Sequence, residues 1–173
     1  MEEIQRDRKY RGRVFDVFQV DVRLPNGNER AYDLVVHPGA VVILPIDQGE
    51  VLFVRQERLG AGGMVLELPA GVLNKGEQPD DSARRELREE TGMNARSWRK
   101  TGEFYIAPGY CSEYQHIYLA EDLFDSPLDP DADEFIELVR VPVEEAYQMA
   151  YRGEIRDGKS LAAMLLAKPY LPG

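Results

Sequence analysis

Three glutamates carry the first chemical signal in this chain. Glu86, Glu89 and Glu90 fall within Ser82 to Thr91, a stretch containing neither glycine nor proline. On a helix, residues three and four apart share a face, so these carboxylates crowd together, while Ala83 and Leu87 lie on a different face that can enter a core. Like charges at that spacing cost a helix about a few tenths of a kcal/mol per pair. The set suits a divalent cation. Mg²⁺ prefers oxygen ligands and commonly takes only one or two carboxylates, leaving positions for water and phosphate. Taken alone, the three residues read better as a solvated helix face, the commoner fate of clustered glutamates.

The surrounding residues decide between these readings. The segment GVLNKGEQPDDSARRELREETGM matches the pattern GX5EX7REUXEEXGU, with U apolar, at Gly71, Glu77, Arg85, Glu86, Leu87, Glu89, Glu90, Gly92 and Met93. A chance match in a chain of this length is on the order of one in ten million at typical residue frequencies. This is the Nudix box, and the chain resembles that family at every specified position. The resemblance implies hydrolysis of the diphosphate in a nucleoside diphosphate derivative, with Mg²⁺ or Mn²⁺ bound. It implies that Glu86 and Glu90 are metal ligands and Glu89 a ligand or base. Arg85 would orient a neighbouring carboxylate, against the plainer reading of a surface ion pair. Gly71 would permit a tight loop, and Glu77 would support the loop–helix geometry or the metal's outer shell.

The flanks resemble the ADP-ribose and sugar-nucleotide pyrophosphatase branch of the family. Glu67-Leu68-Pro69-Ala70-Gly71 runs into the box, and the resemblance makes the Ala70 carbonyl a metal ligand. Val54-Arg55-Gln56 resembles a strand that brings an arginine to the phosphates. Pro108, sixteen residues after Gly92, resembles a mark of ADP-ribose-preferring members. Arg55, Glu67, Gly109 and Glu113 are accordingly expected on the substrate side. Arg55 and Glu113 could instead be charges at strand ends. The resemblance also implies a carboxylate in a late acidic loop that closes over the site. Glu134 is the expected residue, with Asp133 and Glu137 as alternates. ADP-ribose is the leading substrate. GDP-mannose is the alternative within the branch, and a non-catalytic ligand-sensing Nudix domain is the alternative of another class.

The elements that must position these residues follow from periodicity and turn chemistry. Val14 to Leu24 and Glu29 to Val36 read as strands of a hairpin around an Asn26-Gly27 turn. His37-Pro38-Gly39 breaks the pattern. Ala40 to Ile46, Val51 to Gln56, Trp98 to Phe104, Tyr114 to Leu119 and Phe135 to Val141 read as strands, and Leu59 to Met64 as a loop. The box helix is expected to start at an N-cap of Asp80 or Asp81 and stop at Gly92. Val143 to Arg152 and Ser160 to Lys168 read as amphipathic helices. The class is α/β or α+β. The resemblance sharpens this to an α/β/α sandwich around a mixed sheet, residues 39–173, preceded by a small β domain, residues 1–38, exchanged across a homodimer. Tyr10, Phe15, Phe18 and Tyr32 could stack on a base.

Bulk properties set the outer bounds. The chain has 173 residues, 43% of them apolar and 30% charged, which describes a globular chain. A net charge of −10 argues against binding nucleic acid through its phosphates. One cysteine, Cys111, permits no internal disulfide and suits a reducing compartment. No apolar run is long enough to span a bilayer. A cytoplasmic protein is the expectation.

Overall fold

The computed structural model describes residues 1–129 and 135–171. Its first unit is an antiparallel sheet of three strands, β1 (Glu2–Arg11), β2 (Asp16–Arg23) and β3 (Glu29–Val36). The hairpin of β2 and β3 is the one expected from the sequence. Strand β1 was not expected, because every one of its residues is exposed and no apolar alternation marks it. Backbone pairing with β2 defines it instead, helped by Arg23–Glu2 and Arg8–Asp16 ion pairs at 3.2 and 3.3 Å.

The second unit is a mixed sheet of seven strands. Its main path runs β10 (Glu137–Pro142), β5 (Glu50–Arg58), β4 (Ala40–Asp47), β9 (Tyr114–Asp125), β8 (Met93–Tyr105). Strands β6 (Gly63–Glu67) and β7 (Ala70–Val72) pair with β5 and β4 respectively. Among the described strands of this sheet, only the β4–β9 pair is parallel. The expected loop at Leu59 to Met64 gives way to β6 from Gly63 onwards, where pairing with Arg58 and Glu57 outweighs the glycines.

Strand β4 explains the layering. Val41 and Ile43 pack with Ala83, Leu87 and Tyr118 on one face, and Val42 and Leu44 pack with Phe53, Ile117 and Met164 on the other. A strand covered on both faces needs an unbroken apolar run, as found here. Each such side chain contributes about 1.5–3 kcal/mol on burial. Helix α1 (Pro79–Thr91) covers the first face; α2 (Val143–Tyr151) and α3 (Gly158–Ala167) cover the second. The α/β/α sandwich is as expected.

The start of α1 differs from expectation. The N-cap is Gln78, with Pro79 in the first turn, while Asp80 and Asp81 lie inside the helix. Proline tolerates that position because its missing N–H would lack a helical partner anyway. Asp80 accepts a hydrogen bond from the Tyr118 hydroxyl at 2.5 Å instead of capping. Gly92 ends the helix at φ 74°, a left-handed conformation that favours glycine. No helix among the described residues is long and apolar enough to cross a membrane.

Candidate active site

Helix α1 borders a cleft of ≈ 1010 Å³. Arg85, Glu86 and Glu89 reach it from α1, Ala70 and Gly71 from β7, Gln56 and Arg58 from β5, Glu113 and Gln115 from the start of β9, and Lys159 from α3. Arg13 and Val14, between β1 and β2, also line it. None of Tyr10, Phe15, Phe18 and Tyr32 does.

Arg85 organises the carboxylates. Its Nε and Nη2 donate to the two oxygens of Glu77 at 2.8 and 3.0 Å. Its Nη1 donates to Glu89 at 2.7 Å and lies 2.6 Å from Glu86 Oε1. Glu77 also accepts from the Asn74 N–H at 2.9 Å. The paired guanidinium lowers the Glu77 carboxyl from its ordinary 4.5 to about 2, against the upward push of burial. Arg85, held by Glu77, is in turn pushed up and stays charged. Glu77 therefore braces the loop ahead of α1 and anchors the arginine that orients Glu86 and Glu89.

Glu86 and Glu90 are each only 7% exposed, so these charged groups sit in a built environment. Glu90 Oε2 accepts from the Ala70 N–H at 3.0 Å, tying α1 to β7. Gly71 serves a purpose other than a tight loop. It lies within β7, and a β-carbon there would fall onto the Glu86 carboxylate. The donors are all oxygen, which suits Mg²⁺ or Mn²⁺ over softer ions. Among the described residues no three His, Cys, Asp or Glu are gathered as a metal ion would require, and Arg85 engages both Glu86 and Glu89.

Glu67 takes a supporting place. It is 2% exposed and accepts from Arg58 at 2.9 and 2.8 Å and from Lys159 at 2.5 Å. Burial pushes its carboxyl up, but the two cations pull it down further, and the net shift is downward. Lys159 also pairs with Asp157, the N-cap of α3, which accepts from the Ser160 N–H. Glu67 thus aligns two cations at the cleft.

Arg55 and Gly109 are not at this cleft. The Arg55 guanidinium reaches across the sheet to Glu137 at 3.2 Å, beside a neighbouring cleft of ≈ 990 Å³ that also holds Glu67 and Arg58. From the same strand it is Arg58, three residues on, that lines the box cleft. Gly109 sits in the Ala107–Tyr110 turn with open space where a side chain would be. Glu134 and Asp133 lie outside the described residues. Cys111 is buried beside Val35, and His116 faces Glu103 at 3.2 Å.

Sequence reasoning missed Arg58, Lys159 and Gln115. Lys159 follows the N-cap Asp157 by two residues, a signal obscured because the helix was expected to begin at Ser160. Arg58 and Gln115 carried no signal of their own.

Residues 36–164 match the NUDIX domain family. The chain belongs to the Nudix family. This Nudix chain is 38% identical over 93% of its length to an ADP-ribose pyrophosphatase of Bacillus subtilis, covering 89% of that protein. It is 35% identical, with the same coverage, to a methanol dehydrogenase activator of Bacillus methanolicus. A crystal structure of an ADP compounds hydrolase superposes with a TM-score of 0.88 at 27% identity, over 99% of this chain and 95% of that one. The expectation of an enzyme, a Nudix pyrophosphohydrolase, is borne out. The net charge of −10 is not mirrored at the cleft of this Nudix fold. Arg13, Arg58, Lys75, Arg85 and Lys159 line the cleft beside Glu57, Glu86, Glu89 and Glu113, so the cleft is not acidic on balance.

Proposed function

We propose that this enzyme hydrolyses the diphosphate of a nucleoside diphosphate derivative, that ADP-ribose is its preferred substrate, and that AMP and ribose 5-phosphate are the products. The observation that carries the reading is one cleft holding Glu86 and Glu89, with Glu90 buried beside them, together with Arg58 and Lys159. Glu86, Glu89, Glu90 and the Ala70 carbonyl are the groups that would hold Mg²⁺ or Mn²⁺. A bound cation would orient the phosphates, withdraw their charge and acidify water.

The chain's own residues supply the rest. Arg58 and Lys159, aligned by Glu67, present fixed positive charge to phosphate oxygens. Arg85 holds the carboxylates of Glu86 and Glu89, and its two hydrogen bonds to Glu77 keep it in place when they turn to a cation. Glu89, or Glu134 from the acidic loop, would take the proton of the attacking water. Glu113 stands in the same cleft to contact substrate. Residues 1–38 would form a small domain exchanged across a homodimer, residues 39–173 the hydrolase domain, and the cytoplasm would be the compartment.

The similarity to an ADP-ribose pyrophosphatase along nearly the whole chain supports this choice of substrate. The deciding experiment is a hydrolysis panel of ADP-ribose, GDP-mannose, NADH, diadenosine polyphosphates and 8-oxo-dGTP with Mg²⁺ or Mn²⁺. The expected result is a kcat/KM for ADP-ribose at least ~10-fold above GDP-mannose, and loss of turnover in EDTA. Reversed preference would move the enzyme to sugar nucleotides. No hydrolysis of any diphosphate would overturn the reading.

A further inference from the structure

Gln115 is a buried polar side chain that the reaction described above leaves unused. It is 1% exposed, and its amide N–H donates to Glu113 Oε1 at 2.7 Å. Its own carbonyl oxygen, Oε1, is buried and meets no donor among the described residues. The direction of the amide follows from its neighbour. A carboxylate oxygen accepts hydrogen bonds, so the NH₂ faces Glu113 and the amide oxygen turns elsewhere. Folded proteins seldom leave a buried carbonyl oxygen without a donor, because it has given up water for nothing.

The surroundings indicate what the missing donor is. Gln115 is the second residue of β9, paired between Ala40 of β4 and Phe104 of β8. It lines the box cleft and also a smaller side pocket of ≈ 470 Å³ walled by Phe104, Tyr105 and Ile106. The two cavities meet at Glu113, Gln115 and Lys159. The Gln115 amide engages only Oε1 of Glu113, which leaves Glu113 Oε2 and the buried Gln115 Oε1 as acceptors at this junction. Phosphate oxygens can be drawn to Lys159 at this junction, but they carry no proton to donate to Gln115 Oε1. Adjacent hydroxyl groups would be matched.

We infer that Gln115 and Glu113 form a subsite for a hydroxylated sugar ring of the substrate, with Gln115 Oε1 accepting from a ring hydroxyl. The inference rests on the functional reading above and assigns part of its specificity to Gln115. The oxygen is shielded from solvent, so the hydroxyl reaches it through a side-chain shift at the junction as the ring enters. Two rings of ADP-ribose have this chemistry, the ribose of the nucleoside and the ribose at the far end of the diphosphate.

The test compares ADP-ribose with two analogues, one lacking the 2- and 3-hydroxyls of the nucleoside ribose and the other lacking them on the distal ribose. The wild type should disfavour one analogue by at least ~10-fold in kcat/KM, since a site built around a hydroxyl leaves its own polar group unpaired without it. Gln115→Leu should bring ADP-ribose down to the level of that analogue and abolish the discrimination. Its melting temperature should hold or rise, because an unpaired buried acceptor is gone. Gln115→Met serves as a second variant should leucine fail to pack. Which analogue is disfavoured identifies the ring. Variants that hydrolyse ADP-ribose and keep the wild-type ratios for both analogues would overturn the inference while leaving the function intact. A wild type that does not hydrolyse ADP-ribose would overturn both.

Discussion

Gly71 and Glu86 are in such close contact that a β-carbon on residue 71 would lie 1.9 Å from the Glu86 Cδ. The glycine of the box is thus explained by the glutamate fifteen residues further on, not by its own backbone conformation. Gly71→Ala must displace either β7 or the Glu86 side chain. The expected outcome is a loss of about 1–3 kcal/mol of stability from overpacking and a kcat reduced ~10²-fold by a misplaced carboxylate. Melting curves and steady-state kinetics measure both, and a wild-type kcat in this variant would refute the assigned place of Glu86.

Glu90→Gln separates charge from architecture. The glutamine oxygen can still accept the Ala70 N–H that Glu90 accepts at 3.0 Å, so β7 and α1 should stay joined. Removing the charge should cut kcat by at least ~10²-fold, because cation-borne charge stabilisation is lost. Near-normal turnover in the purified variant would sink the role of Glu90 as a ligand.

Acid titration reports on the Glu77–Arg85 pair. The Glu77 carboxyl is lowered from 4.5 to about 2 by Arg85, so its contribution to stability is complete above pH 4.5. It is lost as the pH falls from 4.5 towards 2, where the folded protein must also take up the proton. Thermal melts across that range should show a shallower acid decline in Glu77→Gln than in the wild type. Parallel curves would mean that the pair does not govern acid stability.

The two arginines of β5 should behave differently. Arg58 lines the box cleft, whereas Arg55 pairs with Glu137 outside it. Arg58→Ala should lower kcat/KM on the order of 10²-fold, with a further stability cost because Glu67 keeps only Lys159 against its burial. Arg55→Ala should change kcat/KM by less than about 3-fold, its ion pair being exposed. The reverse order in a kinetic comparison would restore Arg55 as the phosphate arginine.

Dimerisation can be read by light scattering. Strand β1 is exposed along its whole length, and the Val35 N–H and carbonyl bond the loop residues Tyr110 and Ser112 just before Glu113. The full chain should run as a dimer. Removing residues 1–36 should give monomer or aggregate with weakened substrate binding. A fully active monomeric wild type would refute the exchanged N-terminal domain.

The reaction class was legible in the sequence because the box is local. Helical geometry alone puts Glu86, Glu89 and Glu90 together and turns Leu87 and Ala83 to the core, and no distant residue is needed to see it. The layered sheet was legible for a similar reason, since a run such as Val41 to Leu44, apolar at every position, reports burial on both faces. Strand β1 was illegible because an exposed edge strand carries no apolar pattern, only a partner. The choice between Arg55 and Arg58 depended on which side chain Glu137 and Glu67 each capture, and those partners are 82 and 9 residues away. Gln115 and Lys159 are 44 residues apart, and they share a cavity wall only because α3 packs against the sheet that contains β9. The contiguous box, through its resemblance to the Nudix motif, indicated what chemistry the chain can do; the packing of distant segments decided which charges surround it.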